Sequence, residues 1–432
     1  MKQLFKDIIL ENQEFSPNTG IKRQHMEIPV DSEIIISIIG ARRSGKTFLL
    51  YQLIEELKKK GLSNENIVFI NFEDERLSIR SEDLDGILQA YQELYPHIAL
   101  NTVYFFFDEI QNFKGWERFV RRLYDTKSKN IFVTGSNSKL LSSEIATELR
   151  GRTVSYTLFP FNFNEFILAN NGPDNINTST NRAKILKLCK AYMFDGGFPE
   201  TVRFNRSFKI KLLQEYFNVM IYRDIIERYS IANVEVLKFF IKKILASVTV
   251  PVSINKAYND LRSMGYKVSN KYLYEYMNYC NAVFLTQSIN KFDYSEIKQS
   301  KSDKKAYAID NGLLSAIDYS VSDNHGKLME NMVAMELIKN KQQVYYYKDK
   351  YECDFIIQHQ TRLTPIQVAY SIANSDTRKR EIRGLLYACK SLEVSVGTII
   401  TFEEEEEFIN EGITIAVIPF YKYFLNKTHL SY

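Results

Sequence analysis

The chain has 432 residues, 45% of them hydrophobic and 25% charged, and a formal net charge of +4 at neutral pH. That length and apolar content suit two or three domains with large cores and exclude a disordered chain. The mild charge permits nucleic-acid binding without arguing for it.

No apolar run approaches the roughly 18 residues of a membrane-spanning helix. The opening MKQLFKDIILENQEF is amphipathic and carries acids, unlike a signal peptide. Cys189, Cys280, Cys353 and Cys389 form no CxxC pair, and the five histidines show neither HxH nor HExxH spacing. Zinc knuckles, a disulfide framework and a histidine metal site are therefore disfavoured. A cytoplasmic protein with reduced thiols and no membrane partner is expected.

In chain order, EIIISIIG (33–40), NIVFINF (66–72), TVYFFFDE (102–109), KNIFVTG (129–135) and TVSYTLF (153–159) are apolar runs separated by helical stretches. This alternation predicts a parallel sheet covered on both faces. After Pro160 the alternation stops, and 184–229 reads as helices broken by the turn DGGFPE (195–200). From Val234 to Asp310 three short helices precede two strands, AVFLTQSI and KAYAID. The helix KLMENMVAMELIKN (327–340) follows, then the strands VYYYKD, CDFIIQ and TPIQVAY, a helix over 378–390, and GTIITF and TIAVIPF. The run Glu403–Glu407 reads as a solvated turn and helix start, because like charges disfavour burial.

Gly40, Ala41, Arg42, Arg43, Ser44, Gly45, Lys46 and Thr47 satisfy GxxxxGK[ST] between a strand and the helix TFLLYQLIEELKKK. In such a loop glycines let backbone amides curl around phosphates, and the helix N-terminus favours negative charge. Lys46 would reach the β and γ phosphates, Thr47 would ligate Mg2+, and Phe48 completes the candidate nucleotide-binding set. The strand VYFFF ends in Asp108 and Glu109, an acidic pair at the carboxyl edge where open sheets bind ligands. Asp108 would hold the metal shell and Glu109 would activate water. The next strand ends in Thr134, Gly135, Ser136, Asn137 and Ser138. Ser136 and Asn137 are candidates to sense a γ-phosphate, although the same residues also make an ordinary turn.

The stretches GARRSGKT, FFFDEIQ, VTGSNS and ELRGRTVSYTLFPFNFNEF resemble a mostly prokaryotic family of AAA+-type ATPases that carry a nuclease-like C-terminal domain. The resemblance runs over nearly the whole chain. It implies an ASCE-type core with ATP and Mg2+ as ligands, the phosphate loop at 40–47, the acidic pair at 108 and 109, and a sensor near Ser136. By analogy with related ATPases, Arg150 or Arg152 could stabilise γ-phosphate charge, within the chain or across a subunit contact; Arg223 is a further candidate. Ordinary ion-pairing arginines are the plainer alternative. Trp116 reads as a packing residue.

The expected fold class is α/β: a P-loop parallel sheet with flanking helices, then a helical lid, a winged-helix region and a C-terminal α/β nuclease-like domain. The corresponding boundaries are 1–165, 166–232, 233–320 and 321–432. In the third region Lys267, Lys271 and Tyr272 would start a recognition helix, capped by Ser269 or Asn270, although winged helices also dock proteins.

In the fourth region, Glu330 on a helix and Asp354 on the strand CDFII resemble the PD-(D/E)xK nuclease pattern. Gln367 and Ala369 stand where ExK would supply an acid and a lysine, so cleavage activity is expected to be lost. Arg378, Lys379, Arg380 and Arg383 form a basic helix start that could face nucleic acid or solvent. Taken together, the expectation is a Mg-dependent ATPase that switches conformation while acting on DNA. An ATP-regulated protein scaffold and an ATP-dependent nuclease are the alternatives, with a homo-oligomer or another protein as a further partner.

Overall fold

The computed structural model describes residues 1–23, 26–77, 81–137, 149, 151–317 and 324–425. It divides into two compact units, Met1–Phe159 and Pro160–Tyr432.

In the first unit the five apolar runs form β1 (Ile35–Ile39), β2 (Ile67–Asn71), β3 (Tyr104–Asp108), β4 (Ile131–Gly135) and β5 (Thr153–Thr157). All pair in parallel, in the order β2-β3-β4-β1-β5. The four strands β1 to β4 are apolar nearly throughout because both faces are covered. After helix α1 (Lys2–Glu14), helix α2 (Lys46–Lys59) presents Leu49, Leu50, Leu53 and Leu57 to Ile36, Ile38, Phe106 and Phe132 on one face. Phe106 and Phe132 stack across adjacent strands with centroids 4.7 Å apart, so truncating either should cost about 3–5 kcal/mol. On the other face Phe107 meets Phe119 of a helix over Trp116–Thr126. Trp116 is buried at the start of that helix, as a packing residue would be.

Because every strand runs the same way, all loops that follow strands gather at one edge. β4 lies between β1 and β3, so the ends of these three strands stand side by side. This is the P-loop parallel sheet with flanking helices expected from the sequence.

The second unit contains a mixed nine-stranded sheet. Helices Ser179–Asp195 and Arg206–Val219, expected as a lid, pack on a helix over Asn311–Ile317 of the same unit. The break at DGGFPE has a steric cause. Gly196 has φ +74°, and a Cβ there would lie 1.9 Å from the Asp310 carboxylate, which accepts the Gly197 N–H at 2.6 Å.

Helices Val234–Ala246, Ile254–Ser263 and Asn270–Ala282 are followed by β7 (Thr286–Lys291) and β8 (Lys304–Ala308), and a short β6 (Pro251–Val252) pairs with β8. β7 also pairs in parallel with β9 (Gln343–Lys348), which continues through β10 (Glu352–His359) and β11 (Arg362–Val368).

One expectation is corrected. The glutamate run does not start a helix: Glu406–Asn410 is an edge strand, antiparallel to Ile413–Pro419. An edge strand open to water tolerates glutamates, and here Glu405 and Glu406 pair with Lys422 and Arg378. All four cysteines are buried and free.

Candidate active site

The phosphate loop leaves the carboxyl end of β1 and enters α2. Its bends are built into the backbone: Arg43 has φ +65°, and Gly45 has φ +98° as the residue before the helix. At Gly40 a side chain would meet the Leu158 carbonyl at 2.0 Å, so only glycine lets β1 end this close to β5. Ala41 is fully buried, and Arg42 donates to the Glu73 carboxylate at 2.7 Å. Phe48 is half exposed in the first turn of α2.

Two features show that this loop fits a triphosphate. The first-turn amides of a helix have no partner within it. In addition, the Ser44 hydroxyl is buried in the loop without any hydrogen-bond partner. A phosphate oxygen would satisfy both.

Lys46 is almost fully buried. Its ammonium donates to the carbonyls of Gly40 (3.3 Å) and Ala41 (3.2 Å) and pairs with Glu109 at 3.0 Å. Thr47 Oγ1 donates to Asp108 Oδ2 at 2.7 Å. The other Asp108 oxygen accepts from Thr134 Oγ1, which itself accepts the Glu109 N–H at 2.9 Å. A hydroxyl beside a carboxylate is the hard-oxygen pair that Mg2+ takes, so Thr47 and Asp108 fit that ion.

The two acids differ in their electrostatics. Burial, reinforced by the neighbouring Glu109 charge, pushes Asp108 above its usual value despite the Thr134 and Thr47 hydrogen bonds. For Glu109 burial also acts upward, but the Lys46 charge, the Gln111 and Lys46 hydrogen bonds and Arg42 together hold it below the usual carboxylate value. With Lys46 beside it, Glu109 is thus held toward its ionised form.

Ser136 is buried at the same edge, and its Oγ accepts from Gln111 Nε2 at 3.3 Å. Asn137 is buried beside it, whereas Ser138 and Arg150 lie outside the described residues. Two polar residues at the site carry no role in the sequence reading. Thr134 ties the acidic pair to β4, and Gln111 contacts both Glu109 and Ser136. Their signal in the sequence is only a polar residue near the end of an apolar run.

Arg152 is corrected within the chain. It precedes β5, and its carbonyl accepts the N–H of Ile35 at the start of β1. It therefore sits at the opposite edge of the sheet, about 16 Å from the loop at 3.3 Å per strand residue, where it pairs with Asp125 at 3.0 Å. Arg223 is exposed in the second unit.

In the second unit Glu330 and Asp354 do come together, around a lysine that no motif indicated. Lys305, fully buried on β8, places its ammonium 3.0 Å from Glu330, 2.9 Å from Glu352 and 3.6 Å from Asp354. Burial raises both Asp354 and Glu330 above the usual carboxylate range, reinforced at Asp354 by the Glu330 charge and at Glu330 by the Glu352 charge. Gln367 is fully engaged: it accepts the Asp354 N–H at 3.2 Å and donates to Glu381 at 2.6 Å. Among the described residues no group of three or more acids, histidines or cysteines is arranged to hold a metal ion. Arg378 pairs with Glu406, and Arg380 with Glu381, so part of the basic helix start is already neutralised.

A family model described as an AAA domain matches residues 32–167. Two models described as domains of unknown function, DUF8612 and DUF4143, match 186–323 and 325–423. An uncharacterized protein of Haemophilus influenzae is 32% identical over 79% of this chain and 84% of its own. Among solved structures, a Walker-type ATPase of Pyrococcus abyssi aligns at 15% identity and a TM-score of 0.41, covering 73% of this chain and 95% of that one. The uncharacterized protein MJ1544 of Methanocaldococcus jannaschii is 36% identical over 98% of this chain and 96% of its own length. With an AAA domain as its first unit and this full-length likeness, the chain belongs to the same family as MJ1544.

Proposed function

We propose that the chain binds Mg-ATP at residues 40–47 and hydrolyses it to ADP and phosphate. The observation that carries this reading is the convergence of Lys46, Thr47, Asp108 and Glu109 at one edge of a parallel sheet, with Glu109 held toward its ionised form and within 3.0 Å of Lys46. Lys46 would transfer from Glu109 to the β and γ phosphates, and Glu109, so released, would accept the proton of the attacking water. Thr47 and Asp108 would hold Mg2+, which when bound neutralises charge developing on the phosphates. Ser136 would sit beside the γ-phosphate. ATP is chosen over GTP on the family resemblance. Arg152 is not proposed as a finger toward its own chain's nucleotide, because it lies at the far edge of its own sheet; toward the site of another copy of the chain it stays a candidate.

The output of hydrolysis is proposed to be a conformational switch acting on DNA. The region 234–308 supports this with a helix, a strand, two helices and two strands that are joined through a short helix over Glu296–Lys301, an order that suits a winged helix. Its third helix, Asn270–Ala282, exposes Lys271, Tyr272 and Tyr274, suited to phosphate and base contacts. The nuclease-like region is proposed to be inactive in cleavage, with Lys305 filling the space between its carboxylates. The test is ATP turnover with and without duplex and single-stranded DNA at several salt concentrations. Stimulation by DNA that falls steeply with salt supports the switch on DNA. Turnover indifferent to DNA favours a protein partner at that helix, and Mg-dependent nicking lost in Asp354→Ala would show an active nuclease.

A further inference from the structure

We propose that Gln111 positions the attacking water together with Glu109, an inference that rests on the ATPase reading above. Glu109 has φ +52°, and the turn that follows is closed by the Asn112 N–H donating to the Glu109 carbonyl at 3.2 Å. This turn folds the chain back on itself. The side chain two residues on returns to the carboxylate, and Gln111 Nε2 donates to Glu109 Oε2 at 2.6 Å and to Ser136 Oγ at 3.3 Å. The amide must face this way, since its oxygen would be repelled by the carboxylate. Its oxygen, Oε1, is consequently turned elsewhere, buried and without any hydrogen-bond donor.

A buried acceptor left unpaired is costly and calls for a donor. The triphosphate cannot supply one, because its oxygens accept. Water can. With Lys46 drawn to the phosphates, Glu109 Oε1 is released while Oε2 stays held by Gln111. One O–H of the water then donates to the Glu109 carboxylate and the other to Gln111 Oε1, which leaves an oxygen lone pair for the γ-phosphorus.

The new oxygen–phosphorus bond forms as the bond from the γ-phosphorus to the bridging oxygen breaks. That electron pair leaves with ADP. One water proton passes to Glu109 and is later released to solvent; the other hydrogen stays on the phosphate product. Through Ser136 the same amide links the base to the sensor position just after β4.

The test uses the full chain and the variants Gln111→Ala and Gln111→Glu, measuring affinity for a fluorescent ATP analogue and kcat. Gln111→Ala should bind the analogue within about twofold of wild type and lose about 10²-fold in kcat, the size of effect seen when one positioned polar group is removed. Retained binding also reports that the variant is folded. Gln111→Glu keeps an acceptor for the water but removes the donor to Glu109 Oε2, so its kcat should also fall while binding is retained. A kcat within twofold of wild type in either variant overturns the proposal and leaves the ATPase reading standing. A wild type that binds ATP without turnover overturns both.

Discussion

Lys46 and Glu109 form a 3.0 Å ion pair that is almost wholly shielded from solvent. Phosphate oxygens compete for the same ammonium, so the pair is a state that nucleotide binding must undo. Lys46→Ala should abolish the thermal stabilisation by Mg-ATP, which for wild type should reach about 2.7 kcal/mol at a hundredfold excess over Kd. It should also cost the free protein about 3–5 kcal/mol, reduced to the extent that the orphaned Glu109 takes up a proton. Thermal unfolding with and without Mg-ATP reads both.

Gly40→Ala should act without touching any charge. The added methyl lies 2.0 Å from the backbone carbonyl of Leu158, just after β5, which cannot swing aside as a side chain could. A loss of about 1–3 kcal/mol, together with weaker nucleotide binding, is expected from this overpacking. A melting temperature equal to wild type would mean that β1 and β5 are not this close.

The pH dependence follows from the opposite shifts of the acidic pair. Asp108 is raised and Glu109 lowered, so the acid limb of kcat/KM should follow Asp108 and lie above the usual carboxylate range. Thr134 donates to Asp108 and lowers it. Thr134→Val should therefore move the limb to still higher pH. The same raised value means that Asp108 favours the folded, nucleotide-free protein most in acid, a contribution lost as pH rises through its folded-state value.

Lys305→Met leaves Glu330 and Asp354 buried without their cation, whereas Glu352 keeps Lys348. About 3–5 kcal/mol should be lost near neutral pH. Because burial already raises Glu330 and Asp354, lowering the pH protonates them and relieves their repulsion. The cost should shrink as pH falls, which denaturant unfolding at two pH values checks.

The phosphate loop and the acidic pair are legible because their chemistry is written in adjacent residues, and the strands because both faces of the sheet are covered. Strand order is not written locally. That β4 separates β1 from β3 is what brings Thr134 to Asp108 and Ser136 to Gln111, so these partners emerge only with the sheet. Arg152 shows the converse. It stands next to a strand of the site, yet at the strand's start, and parallel strands keep starts and ends at opposite edges. Lys305 reaches Glu330 from another strand, a contact that no spacing could indicate. Glu406 misleads because a charge run says only that a segment meets water, and an edge strand meets water as readily as a helix does.

ATP turnover by wild type and by Glu109→Gln, each paired with a measurement of ATP affinity, tests the central claim most directly. The account predicts hydrolysis by wild type, unchanged or tighter binding in Glu109→Gln, and a fall in turnover of about 10²–10⁴-fold. Equal turnover in the two proteins would contradict the assignment of Glu109 as the base, and the absence of ATP binding by wild type would contradict the site itself.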